Sequence, residues 1–92
     1  VGPVWKGGAS GEQEFLESCY EKCLHIGIRE GARTIAFPAI STGVYGYPKR
    51  QAAVIALQAM KKYEDRFDTI TCCCFSDSDA WIYEKVRASL GI

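Results

Sequence analysis

Between Ile40 and Tyr47 the chain reads Ser41-Thr42-Gly43-Val44-Tyr45-Gly46, two hydroxyls followed by two glycines that bracket an aromatic residue. Those types in that order suit an anion. Gly43 and Gly46 can take positive φ and let the backbone approach a ligand closely, while the amides of residues 42–46 can converge as donors to phosphate oxygens. Ser41 and Thr42 add hydroxyl donors. A helix starting just beyond, at Pro48, would add the partial positive charge of its first unsatisfied N–H groups. Eleven Lys and Arg balance eleven Asp and Glu, so backbone amides must do much of what basic side chains do elsewhere, which favours a diphosphate held snugly along a loop. Tyr47-Pro48-Lys49 follows the second glycine. Without Gly-Lys-Ser/Thr or Gly-x-Gly-x-x-Gly, neither a P-loop nor a Rossmann dinucleotide site is supported. Spacing alone leaves an ordinary β–α turn with helix caps equally open.

Other reactive residue types read as structure. His25 is the only histidine and sits on a helix without an acid and a thiol arranged around it, so a partly exposed structural role is expected. Cys72-Cys73-Cys74 occupy a strand, whose geometry sends alternate side chains to opposite faces, and thiolate ligands need convergence. With Cys19 and Cys23 they are expected to pack as small core residues, and no metal site or cofactor is implied. Glu12, Glu14 and Glu17 crowd a helix N-terminus, where negative charge complements the dipole. Lys49-Arg50 and Lys61-Lys62 read as solvated faces, Trp5 and Trp81 as packing on the sheet, and Tyr47 beside Pro48 as an anchor for the loop.

The elements that must position the loop follow from periodicity. Phe15, Leu16, Cys19, Tyr20, Cys23, Leu24 and Ile26 recur at three-to-four spacing and predict a helix over 12–30, with Ser10 as N-cap and Gly31 near its end. Thr34-Ile35-Ala36-Phe37 predicts a strand ending at Pro38. Ala52, Ala53, Ile55, Ala56, Ala59, Met60 and Tyr63 trace one apolar stripe of a second helix, with Pro48 in its first turn. Residues 67–75 are rich in strand formers, and the last four are too apolar to alternate, which predicts a strand covered on both faces. Ser76 and Asp79 have capping spacing before a third helix that buries Trp81, Ile82, Val86 and Leu90.

Helix, strand, helix, strand, helix predicts an α/β fold of three α/β/α layers with a mostly parallel sheet. Only two strands are secure, with Val1–Trp5 as the tail of a possible third, and three amphipathic helices need more sheet than that to cover. The sheet is therefore expected to be incomplete, and the 92 residues to form one unit of a larger domain. The composition, 48% hydrophobic and 24% charged, is globular rather than disordered. Zero net charge leaves nucleic-acid binding unsupported. No apolar run is long enough to span a membrane, and the odd cysteine count is no disulfide framework, so a reducing cytoplasm is expected.

The thirteen residues Ala36-Phe-Pro-Ala-Ile-Ser-Thr-Gly-Val-Tyr-Gly-Tyr-Pro48 resemble the signature loop of macrodomains, modules that bind ADP-ribose. Val1-Gly-Pro-Val-Trp-Lys-Gly-Gly8 resembles the segment after an interior macrodomain strand, and the stretch from Phe75 to Tyr83 resembles the closing segment. The likeness covers essentially residues 1–92 but only the carboxyl-terminal half of such a domain, and is closest to MacroD-like and bacterial members. It implies that Ser41, Thr42, Gly43, Val44 and Gly46 wrap the diphosphate, that Tyr45 packs on the distal ribose and that Phe75 lies on the adenine side. It implies a parent domain that hydrolyses ADP-ribosyl esters or O-acetyl-ADP-ribose, with ADP-ribose or an ADP-ribosylated protein as partner. The family's adenine-reading Asp, its Asn-Ala-Ala-Asn segment and its glycine-rich catalytic loop belong to the amino-terminal half, so no catalytic residue is assigned and turnover by these 92 residues alone is not expected. A different reading is a non-catalytic assembly module whose open sheet is completed by another chain or by oligomerisation.

Overall fold

The structure is a computed structural model that describes residues 2–38, 40, 46–74 and 76–91. Its elements are α1 (Glu12–Arg29), β1 (Thr34–Pro38), α2 (Lys49–Lys62), a 3-10 turn (Glu64–Arg66), β2 (Thr69–Cys73) and α3 (Asp77–Leu90). The alternation is the predicted one. Residues 2–5 form no strand.

α1 buries Glu12, Leu16, Tyr20 and Leu24, a strict four-residue repeat that makes a narrow row along one side. The wider stripe predicted from sequence does not hold. Phe15 is 56% and Ile26 49% exposed, and Cys23 is exposed as well, because each lies one or two residues off the row, about 100° or 200° around the axis. Ser10 is not the N-cap either. Gly11 occupies that position at φ 77° without a side-chain cap, and Ser10 instead donates its N–H to Glu12. At the other end Gly31, at φ 75°, donates to the Ile28 carbonyl and Ala32 to that of Gly27. This pair of backward bonds closes the last turn and requires the left-handed conformation that glycine adopts without strain.

β1 and β2 pair in parallel, with Thr34 opposite Thr69, Phe37 opposite Cys72 and Pro38 opposite Cys73. Paired residues share a face. Phe37 is buried and Ile35, Ile70 and Cys72 are half-buried toward the helices, whereas Thr34, Ala36, Pro38, Thr69, Thr71 and Cys73 are exposed on the opposite face. β2 therefore alternates in burial, and among the described residues its apolar run is covered on one face only. The cysteines follow suit. Cys19, Cys72 and Cys74 are half-buried and Cys23 and Cys73 exposed, so none is a fully buried core residue.

α2 lies between α1 and α3. Ala52, Ala53, Ala56 and Ala59, all buried, present small side chains along it, with Ile55 and Met60 completing the stripe; small residues let neighbouring helices approach closely. Tyr63 falls one residue past the helix end, and Pro48 is the residue before its first turn. In α3, Ser76 caps as predicted, its hydroxyl accepting from the Asp79 N–H at 3.2 Å. The buried residues are Asp79, Tyr83 and Val86, whereas Trp81 is 61% exposed. The result is an α/β fold with an incomplete parallel sheet and helices packed on it. Among the described residues no helix is long and apolar enough to cross a membrane.

Candidate functional site

The two strands run in the same direction, so their carboxyl ends, Pro38 and Cys73, lie side by side. The connection from Pro38 leads to α2 and that from Cys73 to α3. Every residue singled out for ligand contact falls on one of these two connections, outside the carboxyl ends of adjacent parallel strands, the usual place for ligands in open α/β sheets. Of those residues Gly46 is described: it is exposed, with φ 74°, in the left-handed region, and no described residue beyond its chain neighbours lies within 4 Å of where a Cβ would sit. Ser41, Thr42, Gly43, Val44, Tyr45 and Phe75 lie outside the described residues.

The feet of the first connection are fixed by α1 and by the segment leading into it. At the amino foot, the Ile40 N–H donates to the Tyr20 hydroxyl at 3.4 Å. Tyr20 is fully buried, and its ring packs on Phe37 with centroids 5.2 Å apart, a tilted geometry that adds about 0.5–1.5 kcal/mol beyond area burial. Burial above all pushes the phenols of Tyr20 and Tyr83 upward from their ordinary value. At the carboxyl foot Tyr47 is 3% exposed and tilts against Trp5 at 4.8 Å. Its phenol is raised first by burial and then by the carboxylates of Glu12, Glu17 and Glu14. The expectation of Tyr47 as an anchor is met, and Trp5 packs on this tyrosine.

Glu12 shapes the segment that carries Trp5. Its carboxylate accepts the N–H groups of Lys6 at 2.7 Å and Gly8 at 3.0 Å on one oxygen and of Ser10 at 2.7 Å on the other. Gly7 and Gly8 have φ near +90°, which turns successive amides toward a common point. These donors hold the carboxyl at about 2, well below the usual carboxylate range. Sequence reasoning credited Glu12 only with dipole compensation. The signal it missed was a buried helix-row position occupied by an acid immediately after a run of glycines.

Lys49 and Asp79 join the two helix starts, Nζ to Oδ1 at 2.6 Å. Lys49 is exposed, as the reading of a solvated charge expects, and it is also paired: a cation at the start of a helix opposes the dipole, and a carboxylate from the neighbouring helix offsets it. His25 is exposed and bonds the Tyr63 hydroxyl at 2.7 Å, which joins α1 to the end of α2 in the expected structural role. Cys72 Sγ lies 3.2 Å from Met60 Sδ, and burial pushes its thiol up to about 11. Among the described residues no three His, Cys, Asp or Glu side chains group to hold a metal ion.

Comparison with known proteins agrees with this geometry. The family model described as Macro domain matches residues 1–56, and the chain belongs to that family. A Macro domain-containing protein of Chlorobaculum tepidum is 49% identical over 92 residues, 97% of this chain and 54% of the relative. An O-acetyl-ADP-ribose deacetylase of Enterobacter cloacae is 40% identical, with 99% of this chain and 52% of the relative covered. The Oceanobacillus iheyensis macrodomain with ADP superposes with a TM-score of 0.90 at 37% identity, covering 98% of this chain and 48% of that one. A single-site variant of the same macrodomain was determined with ADP-ribose. The chain thus spans about half the length of the relatives it matches.

Proposed function

We propose that this chain supplies the diphosphate-binding portion of an ADP-ribose site. Ser41, Thr42, Gly43, Val44 and Gly46 hold the diphosphate, Tyr45 packs on the distal ribose and Phe75 lies on the adenine side. The observation that carries the reading is the shared carboxyl edge of β1 and β2, from which both connections bearing these residues depart. Relatives named for O-acetyl-ADP-ribose deacetylation support hydrolysis of that compound by a domain of the relatives' full length, and ADP-ribosyl esters are the alternative substrate of the same reading. The 92 residues bind, and groups beyond them orient the water and the distal ribose. An odd number of cysteines, three of them consecutive, supports the cytoplasm as the place of action.

Calorimetry with ADP-ribose tests the reading. Binding by the chain is expected to weaken at least tenfold, about 1.4 kcal/mol, in Gly43→Glu, which sets a carboxylate against the diphosphate. Equal affinity of the two chains overturns it.

A second reading, an assembly module, is favoured by a separate feature. β2 has no second neighbour among the described residues, and beside it an open groove of about 990 Å³ is lined by Met60, Phe67, Ile70 and Tyr83 together with charged residues such as Asp68 and Glu84. An added strand from another polypeptide would cover it. Light scattering decides: a monomer that unfolds in one step at micromolar concentration rejects this reading, and a concentration-dependent dimer supports it.

A further inference from the structure

Glu12 lies on the buried row of α1, 3% exposed, and among the described residues its hydrogen bonds go to the segment before α1. Its three bonds go to the main chain of Lys6, Gly8 and Ser10, which folds that segment into a tight ring around the carboxylate. Trp5 enters this ring at one end and is wedged by it. A Cβ on Gly8 would come within 2.9 Å of the indole, so the bare backbone of Gly8 forms one wall of the indole's seat. The other wall is Tyr47, 4.8 Å away. Tyr47 follows Gly46 directly and precedes the first turn of α2, so the position of its ring fixes where the glycine leaves the loop. Eight residues further along the same face of α1, Tyr20 holds the opposite foot at Ile40.

We infer that Glu12 is a positioning residue for the proposed diphosphate loop, acting through the backbone of residues 6–10, Trp5 and Tyr47. The inference rests on the ADP-ribose reading only for the identity of the ligand. A carboxylate suits the task because it accepts from several N–H groups at once without needing a proton of its own. A glutamine offers one acceptor oxygen and turns N–H donors against the remaining amide, so the ring opens on one side while its volume is kept.

Amide hydrogen exchange on the 92-residue chain tests this without ligand. In Glu12→Gln, exchange at Lys6, Gly8 and Ser10 is expected to accelerate at least tenfold, and exchange at Gly46 and Tyr47 to accelerate with it, while β2 and α3 keep their rates. The near-ultraviolet circular dichroism of Trp5 should weaken in parallel. Trp5→Leu removes the wedge but leaves the carboxylate bonded, and is expected to speed Gly46 and Tyr47 while sparing Lys6, Gly8 and Ser10. Acceleration confined to residues 6–10 in Glu12→Gln overturns the inference, and so does uniform acceleration across the chain, which marks a merely structural role. ADP-ribose affinity is then measured on both variants, with a tenfold loss expected in each. If wild type itself fails to bind, the ligand reading falls while the exchange pattern still decides the role of Glu12.

Discussion

Lys49 Nζ stands 2.6 Å from Asp79 Oδ1, and this single contact ties the first turn of α2 to the first turn of α3. The partners are unequal, for the Asp79 side chain is 9% exposed and that of Lys49 47%. Removing the cation leaves a buried carboxylate without its counter-charge, whereas removing the carboxylate leaves an ammonium that water can reach. Discounted for the exposed half of the pair, Lys49→Met is expected to cost about 2 kcal/mol and Asp79→Asn about 1 kcal/mol. Urea midpoints at unchanged m-value measure both. Equal losses would mean that the contact behaves as a solvated surface pair.

The Glu12 carboxyl gives stability a defined acid limb. Its value in the folded chain, about 2, lies below the ordinary 4.5, so the unfolded chain takes up the proton first as pH falls. The stability it contributes is complete above pH 4.5 and is lost as pH drops toward 2. Urea titrations across that window are expected to show a steep decline for wild type and a shallower one for Glu12→Gln. Identical slopes would show that the three N–H bonds do not hold the carboxylate.

No described residue beyond its chain neighbours lies within 4 Å of where a Cβ on Gly46 would sit, so among the described residues a side chain there meets backbone strain alone. Gly46→Ala is expected to destabilise by about 1 kcal/mol, and Gly46→Asn by less, since asparagine tolerates the left-handed region better. A thermal-denaturation series checks the ranking. An alanine cost several times larger would mean that the added methyl collides with something.

Cys72 should be slow toward alkylating agents. Its thiol is pushed up to about 11 by burial, with the neighbouring Cys74 and Cys73 adding to the shift, which lowers its thiolate fraction roughly a hundredfold at neutral pH. Limited treatment of the folded chain with iodoacetamide, followed by peptide mass analysis, is expected to modify the exposed Cys23 and Cys73 well before Cys72. Labelling of Cys72 at the rate of Cys73 would contradict the packing against Met60.

Element order and the place of the ligand loop were legible because each rests on local chemistry: the alanine stripe of α2, the Ser76 cap, and glycines between a strand and a helix. Burial was legible less well, for a physical reason. Phe15, Ile26 and Trp81 match apolar positions by type, but which side of a helix turns inward is settled by neighbours distant in sequence. Residues 72–75 read as doubly covered because their composition suits a larger sheet than the two strands among the described residues provide. The bonds around Glu12 and the contact from Lys49 to Asp79 were invisible for another reason. Each joins residues whose individual types have ordinary explanations, and only the folded backbone brings them together.

Thr69, Thr71 and Cys73 look out from a strand whose far side has no partner among the described residues. Among the described residues β2 therefore leaves a row of main-chain donors and acceptors open to an extended segment. Dilution, an occupying segment and a charge substituted at Thr71 are three independent ways to keep that row from recruiting its own kind, and handling the purified chain will depend on which of them is in force.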